Sequence, residues 1–412
     1  MLNLEKSKKL FNHALEIIPG GTNTNAKRVY NLFDSDHFPA YIEKADGAYV
    51  WDIDGNKYID YIAALAPINI GYNNPRIKQK IIEQLEKGSL FSLPSPNEVE
   101  LSEMLIEKIP CAEMVKIMKT GADVTSAAIR AARLATGKDL ILSCGYHGWH
   151  DWWGAKIGEK GIPPCFKDLI RDFDFNDFLQ LEKLVEENDG KIACIILTPA
   201  SYGVEPKNDF LRKIRKLTDQ KGIVLIFDEI ITGFRWAMGG AQEKYGVIPD
   251  LAAFGKSMAN GMPIAVLVGK KELMVPLKHN LITSTFASEA LSIAASIETI
   301  KIIDEENVIQ RLYDISDKLR TGISEISQQQ NFEIDVMDLT PAVKFEFLIH
   351  DAEKKKKLTL EFIKQCAAKG LLVRQDGTGV SLCVMAALSD DDIDYTLNTF
   401  DDVIKNKFLD FI

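Results

Sequence analysis

The sequence has no run of Lys and Arg that would line a nucleic-acid groove. Its one basic run, Lys354–Lys357, is short and reads as a solvated loop or helix face. The formal net charge is −10, so the chain is acidic overall. Cysteine is scarce: six residues (Cys111, Cys144, Cys165, Cys194, Cys366, Cys383) with no C-x-x-C pair. That argues against zinc and disulfides and for reduced thiols in a cytoplasmic protein. No apolar run is long enough to cross a bilayer. There is no internal repeat and no disordered linker. The opening "MLNLEKSKKLFNHALEIIPGG" does not read as a signal peptide. Leu4, Leu10, Phe11, Leu15 and Ile18 recur at roughly helical spacing among charges, and Pro-Gly-Gly ends the run, so an amphipathic helix is expected.

What is present is ordinary globular composition, 46% hydrophobic and 26% charged over 412 residues. That is enough for one large domain plus a smaller one. "YIEKADGAYVWDIDGNKYIDY" is broken twice by Asp-Gly and predicts a small antiparallel meander. A helix is expected from about Pro75 to Lys87. From there, short apolar runs alternate with helical patterns: "MVKIM", "DLILSC", "KIACIIL", "GIVLIF", "LAAF" and "PIAVLVG". Such alternation predicts a mostly parallel sheet covered on both faces. A long helix from about Glu289, bent around Asp304–Asn307, leads into a smaller α+β portion. That portion has strands "AVKFEFLI" and "GVSLCVMAAL" and a terminal helix.

In parallel α/β sheets, ligands gather at the C-terminal strand ends. "GIVLIF" ends in Asp228-Glu229, and a carboxylate there needs a cationic or donor partner. "LAAF" ends in Gly255-Lys256, with "SMANG" following. "MVKIM" ends in Lys119-Thr120-Gly121-Ala122 and opens a helix at Asp123, which makes a phosphate seat of free amides and helix dipole. "DLILSCG" ends in Tyr146-His147-Gly148, placing an aromatic ring at the same rim. Each element alone has a plainer reading: a buried Lys is usually salt-bridged, and Asp228-Glu229 could cap a helix. "GKS" at Gly255–Ser257 is not a nucleotide P-loop tail, because the required first glycine falls on Asp250. His147 and His150 form H-x-x-H, read as structural rather than metal-binding. Together, a phosphate seat, an acid, an aromatic plate and a lysine match pyridoxal phosphate. That cofactor needs its aldehyde held by a lysine and its pyridine nitrogen kept protonated by a carboxylate. A lysine half-buried among small residues suits both imine formation and proton carriage.

These residues also carry a family resemblance. "IFDEIITGFRW" followed by "PDLAAFGKSMANGMPIAVLVGKKELM" resembles the signature of class III (fold type I) pyridoxal-phosphate aminotransferases, with Asp228 and Lys256 spaced 28 residues apart as in that family. "IPGG", "YVWDIDGNKYIDY", "IGYNNP" and "GYHGWHDWW" follow in the expected order, so the resemblance runs from about Ala14 to Asp394. The branch it is most similar to is that of glutamate-1-semialdehyde aminomutase. "GYHGWHDWW" and "GFRWAMGGAQEKYGVIPDL" resemble members associated with surface-sugar biosynthesis. The resemblance implies an α/β fold, with a large, mostly parallel seven-stranded sheet domain over residues 61–300. A small α+β domain would be built from both chain ends, 1–60 and 301–412.

Position by position, the resemblance makes Lys256 the Schiff-base lysine and Asp228 the pyridinium partner. Ile230 would pack on one ring face and Tyr146 on the other, with His147 in the cofactor shell. Thr120, Gly121 and Ala122 would bind the phosphate. Thr285 in "STFASEA" would reach the phosphate of a neighbouring subunit, making a homodimer with shared sites. Lys27 or Arg28 is a candidate for meeting an anionic substrate, against a solvated-loop reading, and Arg235 with Trp236 is a candidate for lining the substrate pocket, against simple packing. The chain departs from the family pattern at Ala122, which lacks a hydroxyl, and at Val124, which replaces alanine. Thr198 stands where glutamate is usual. Lys27 stands where the aminomutases carry a carboxylate-binding arginine. The expected activity is amino-group transfer between a small amine donor and a polar carbonyl acceptor, with a sugar or nucleotide-sugar suggested by the branch. The aminomutase and a non-catalytic cofactor-binding protein are the alternatives.

Overall fold

The computed structural model describes residues 2–28 and 38–407. The described chain divides into two units: residues up to 75 with 202–204 and 310 onward, and residues 76–201 with 205–309.

In chain order the strands are β1 (Ile42–Asp46), β2 (Tyr49–Asp52), β3 (Lys57–Asp60), β4 (Met114–Met118), β5 (Leu140–Cys144), β6 (Ile170–Asp172), β7 (Ile192–Leu197) and β8 (Val224–Asp228). They continue with β9 (Leu251–Phe254), β10 (Ala265–Gly269), β11 (Ile334–Val336), β12 (Val343–Phe347), β13 (Leu371–Leu372), β14 (Arg374–Asp376) and β15 (Gly379–Leu382).

The second unit holds a seven-stranded sheet in the order β4-β10-β9-β8-β7-β5-β6. All neighbours pair in parallel except β10, which runs antiparallel to both β4 and β9. The C-terminal ends of β4, β9, β8, β7 and β5 therefore share one edge. Strands β7, β8 and β9 are buried along their whole length, as apolar runs covered on both faces should be. The helix Gly121–Thr136 lies against this sheet through Ala122, Val124, Ala127, Ala128, Ala131 and Ala132. Small side chains let its axis come close to the strands, and Gly137 at φ 63° ends it in the left-handed conformation. Strand β6 was not anticipated, because "IRD" has neither an apolar run nor an alternation.

The first unit carries two four-stranded sheets, β1-β2-β3-β13 and β11-β12-β15-β14. The meander turns at Gly47 and Gly55, both at positive φ, as the Asp-Gly pairs require. The first helix spans Glu5–Ile17, but its buried stripe is Leu4, Ser7, Phe11 and Ala14. Leu10 and Leu15 flank that stripe and are over 40% exposed, so two of the five apolar positions expected inside face outward. "GVSLCVMAAL" is a strand only to Leu382. From Cys383 the backbone bonds instead to Tyr61, Asn69 and Ile70. Ala63 to Ala66 form four consecutive residues at positive φ, a left-handed turn whose first amides fold back on the Asp60 carboxylate. The long helix breaks where expected, into Ala290–Glu305 and Val308–Gln329, with Asn307 at φ 50°.

Candidate active site

Strand β8 ends on Asp228, paired in register with Ala253 of the neighbouring β9. Three residues beyond Ala253 comes Lys256, so acid and lysine leave adjacent strands at one edge. Lys256 is half-buried and held at φ 43°, a conformation that costs a non-glycine residue roughly 1–2 kcal/mol. Its neighbours Gly255, Ser257, Met258 and Ala259 are buried. Backbone strain of this kind concentrates at functional sites.

Asp228 is 5% exposed. One carboxylate oxygen accepts the Ile230 amide at 3.1 Å, and the other lies 2.7 Å from His147 Nδ1. A carboxylate only accepts, so Nδ1 is the protonated nitrogen and donates. The Nε2 of the same ring is buried with no hydrogen-bond partner among the described residues. Tyr146, immediately before His147, is 66% exposed and meets Trp153 edge-on with ring centroids 4.8 Å apart. Partial burial and then the Asp228 charge push its phenol above the usual range.

The helix after β4 starts two residues earlier than expected, at Gly121 rather than Asp123. The Thr120 hydroxyl donates to Asp123 Oδ2 at 2.7 Å, and Asp123 in turn accepts the Thr120 amide at 2.9 Å. This capping box engages the Thr120 side chain, which leaves the Gly121 and Ala122 amides, with no acceptor inside the helix, as the donors for an anion. Val124 is wholly buried in the core, so its replacement of alanine is a packing change.

Ile230 joins the two halves. A Cβ on Gly121 would lie 3.3 Å from its side chain, and one on Gly255 would lie 3.1 Å from it. A branched apolar side chain thus fills the space between the Gly121 turn and the lysine turn, and a Cβ at either glycine would press on it. Thr198, just past β7, sits beside Gly145, where a Cβ would be 2.8 Å from its Oγ1.

The structure therefore brings together Thr120, Gly121, Ala122, Tyr146, His147, Asp228, Ile230 and Lys256 at one sheet edge. Arg235 is fully buried and presents no surface. Glu229, adjacent to Asp228, faces inward and accepts the Ala241 and Gln242 amides at 2.8 and 2.9 Å. Lys27 and Arg28 lie in the first unit, with the Arg28 guanidinium donating to the Pro19 carbonyl at 3.5 Å. Thr285 is exposed, four residues before Glu289, whose carboxylate holds Lys119 Nζ at 3.0 Å. Sequence reasoning missed Thr125 and Ser126, which hold the His147 segment from the helix side. Hydroxyl residues inside an alanine-rich helix gave no signal of that role.

Aminotransferase class-III sequences match residues 32–404 of the chain. The chain belongs to the class III aminotransferase family. A 3-aminobutyryl-CoA aminotransferase from Cloacimonas acidaminovorans is 37% identical over 403 residues, covering 96% of both chains. A glutamate-1-semialdehyde 2,1-aminomutase from Methanococcoides burtonii is 34% identical over 390 residues, covering 90% of both. Among solved structures, the pyridoxal-phosphate internal aldimine form of FumI from Sphingopyxis sp. MTA144 superposes with a TM-score of 0.91 at 28% identity, covering 99% of this chain and 97% of that one. The fold is that of fold type I pyridoxal-phosphate transaminases, and the family's cofactor is pyridoxal phosphate. The residues fit it: a glycine-lined cradle under Ile230, an amide seat, and a buried acid paired through His147. Among the described residues no helix is long and apolar enough to cross a membrane.

Proposed function

We propose that this aminotransferase moves an amino group between two separate molecules, from a small amine donor to a small polar carbonyl acceptor. The observation that carries this reading is the neutral Thr198 beside the Gly145–Tyr146 turn, where the family usually places a glutamate. Together with Lys27 in place of the mutase-like arginine, which keeps the positive charge but loses the planar two-pronged grip on a carboxylate, it alters two groups that the resemblance ties to substrate choice. The relative that acts on 3-aminobutyryl-CoA supports transfer between molecules and adds a 3-oxoacyl thioester to the sugar-like acceptors suggested by "GYHGWHDWW".

Bound pyridoxal phosphate supplies an electron sink for the carbon bearing the amine. Lys256 Nζ would hold the cofactor and, as an amine half-buried at the same strand end, would serve as the base that moves the proton at the substrate carbon. Asp228 would keep the pyridine nitrogen protonated, and the His147 Nδ1 hydrogen bond orients the Asp228 carboxylate. Ile230 and Tyr146 would pack on the cofactor ring, and the Gly121 and Ala122 amides would hold its phosphate. Thr285 is assigned to the phosphate of a second subunit, so the working form is a homodimer.

The test is to incubate the loaded enzyme with glutamate-1-semialdehyde alone and follow 5-aminolevulinate. Sustained turnover of roughly one per second or more would restore the mutase. The expected result is none there, and turnover with an added amine donor in a panel of 3-oxoacyl thioesters and keto-sugar nucleotides.

A further inference from the structure

The segment from His147 to Trp153 carries more aromatic surface than one ring face needs. Trp152, in the short helix Asp151–Gly154, lies parallel to His147, with an interplanar angle of 11° and centroids 6.3 Å apart. Its Nε1 donates to Ser126 Oγ at 2.9 Å. Ser126 Oγ is also 2.7 Å from His150 Nδ1. An indole N–H can only donate, so Ser126 accepts from Trp152 and has one hydrogen left for His150. That arrangement uses every hydrogen when His150 is neutral with Nδ1 accepting. One residue earlier on the same helix, Thr125 Oγ1 donates to the His147 carbonyl at 2.7 Å.

We propose that Ser126, with Trp152 and His150, is a positioning device that fixes the His147 ring plane and through it the Asp228 carboxylate. His147 can direct Nδ1 at Asp228 only while its ring is held in plane. Thr125 fixes its backbone and the Trp152 ring fixes its face, and both are anchored on the first turns of the helix whose N-terminus seats the phosphate. Loss of the Ser126 hydroxyl leaves the Trp152 N–H unpaired beside the His147 face and frees that ring to tilt. Asp228 then holds the pyridine proton less firmly. A ring that loses its proton more easily lends less positive charge to the lysine-linked group, which therefore keeps its own proton to higher pH.

The inference rests on the cofactor assignment but not on which carbonyl compound accepts. The protein loaded with pyridoxal phosphate is titrated with pH while its visible absorbance is followed, for wild type, Ser126→Ala, Ser126→Thr and Trp152→Phe. Ser126→Ala and Trp152→Phe should raise the midpoint by roughly half to one pH unit, the size of one lost hydrogen bond. Ser126→Thr keeps the hydroxyl and should restore it. A folded Ser126→Ala protein with the wild-type midpoint would overturn the proposal, as would lowered thermal stability without a midpoint shift. Should Ser126→Ala fail to fold, Trp152→Phe, which keeps a six-membered aromatic ring but loses the N–H and part of the indole, decides by the same midpoint. A wild-type protein with no visible band would defeat the cofactor assignment and this inference with it. A band that the variants leave unmoved defeats the inference alone.

Discussion

Gly148→Ala should damage cofactor binding far more than it damages the fold. Gly148 sits at φ +105°, and a Cβ added there would lie 2.6 Å from Ala122 Cβ and 2.8 Å from Ala122 Cα. Carbon atoms pack best at about 3.5–4.0 Å, so Ala122 must retreat by about 1 Å. Ala122 carries one of the two amides proposed to seat the phosphate, so its retreat would displace the donor itself. Overpacking costs about 1–3 kcal/mol, and the left-handed backbone adds about 1–2 kcal/mol. At this chain length each kcal/mol lowers the melting temperature by only about 1 °C. By contrast, about 1.4 kcal/mol felt in the bound state weakens the cofactor tenfold. The assay is a pyridoxal-phosphate titration by absorbance, paired with thermal denaturation. Gly190→Ala is the control: Gly190 has φ +73° with nothing within 4 Å of its would-be Cβ, so it carries the backbone cost alone. Unchanged cofactor affinity in Gly148→Ala would refute the placement of the seat.

Three further outcomes are expected. Burial pushes the Glu229 carboxyl up to about 7 from 4.5, only partly offset by bonds from Thr232, Ala241 and Gln242. The folded state keeps a proton that the unfolded chain releases, so this contribution to stability is full below pH 4.5 and lost as pH rises through about 7. Thermal stability of Glu229→Gln should lack that fall, and profiles parallel to wild type would contradict it. Asp228→Asn should retain some cofactor yet lose activity by roughly a hundredfold or more, because a neutral partner no longer holds the pyridine proton; wild-type turnover would remove Asp228 from its role. Mixing Lys256→Ala with Thr285→Ala chains should restore activity, since one site of each heterodimer then carries neither defect. No gain after verified subunit exchange would place each site within one chain.

The strands that build the site were legible because a covered parallel strand must be apolar throughout, and "KIACIIL", "GIVLIF" and "LAAF" are. The polar residues that interrupt such runs stood out for the same reason, which is how Asp228 and Lys256 were found. What the sequence concealed were contacts between residues of ordinary local type. Ser126 reads as a neutral helix position until Trp152 is seen donating to it. Leu10 and Leu15 look like core because leucine is apolar, yet the stripe that is buried admits Ser7 in their stead. Strand β6 is short and mixed, and its pairing with β5 is what makes it a strand. The left-handed turn Ala63–Ala66 could not be foreseen, since alanine has no preference for it and the Asp60 carboxylate enforces it from outside.

The central claim is that Lys256 is the residue that holds the cofactor. Loading the protein with pyridoxal phosphate, reducing with borohydride and mapping the modified peptide tests it most directly. The account predicts that the visible band disappears and the pyridoxyl group is recovered on the peptide containing Lys256, with none trapped in Lys256→Ala. Recovery on another lysine, or no covalent trapping despite bound cofactor, would contradict it.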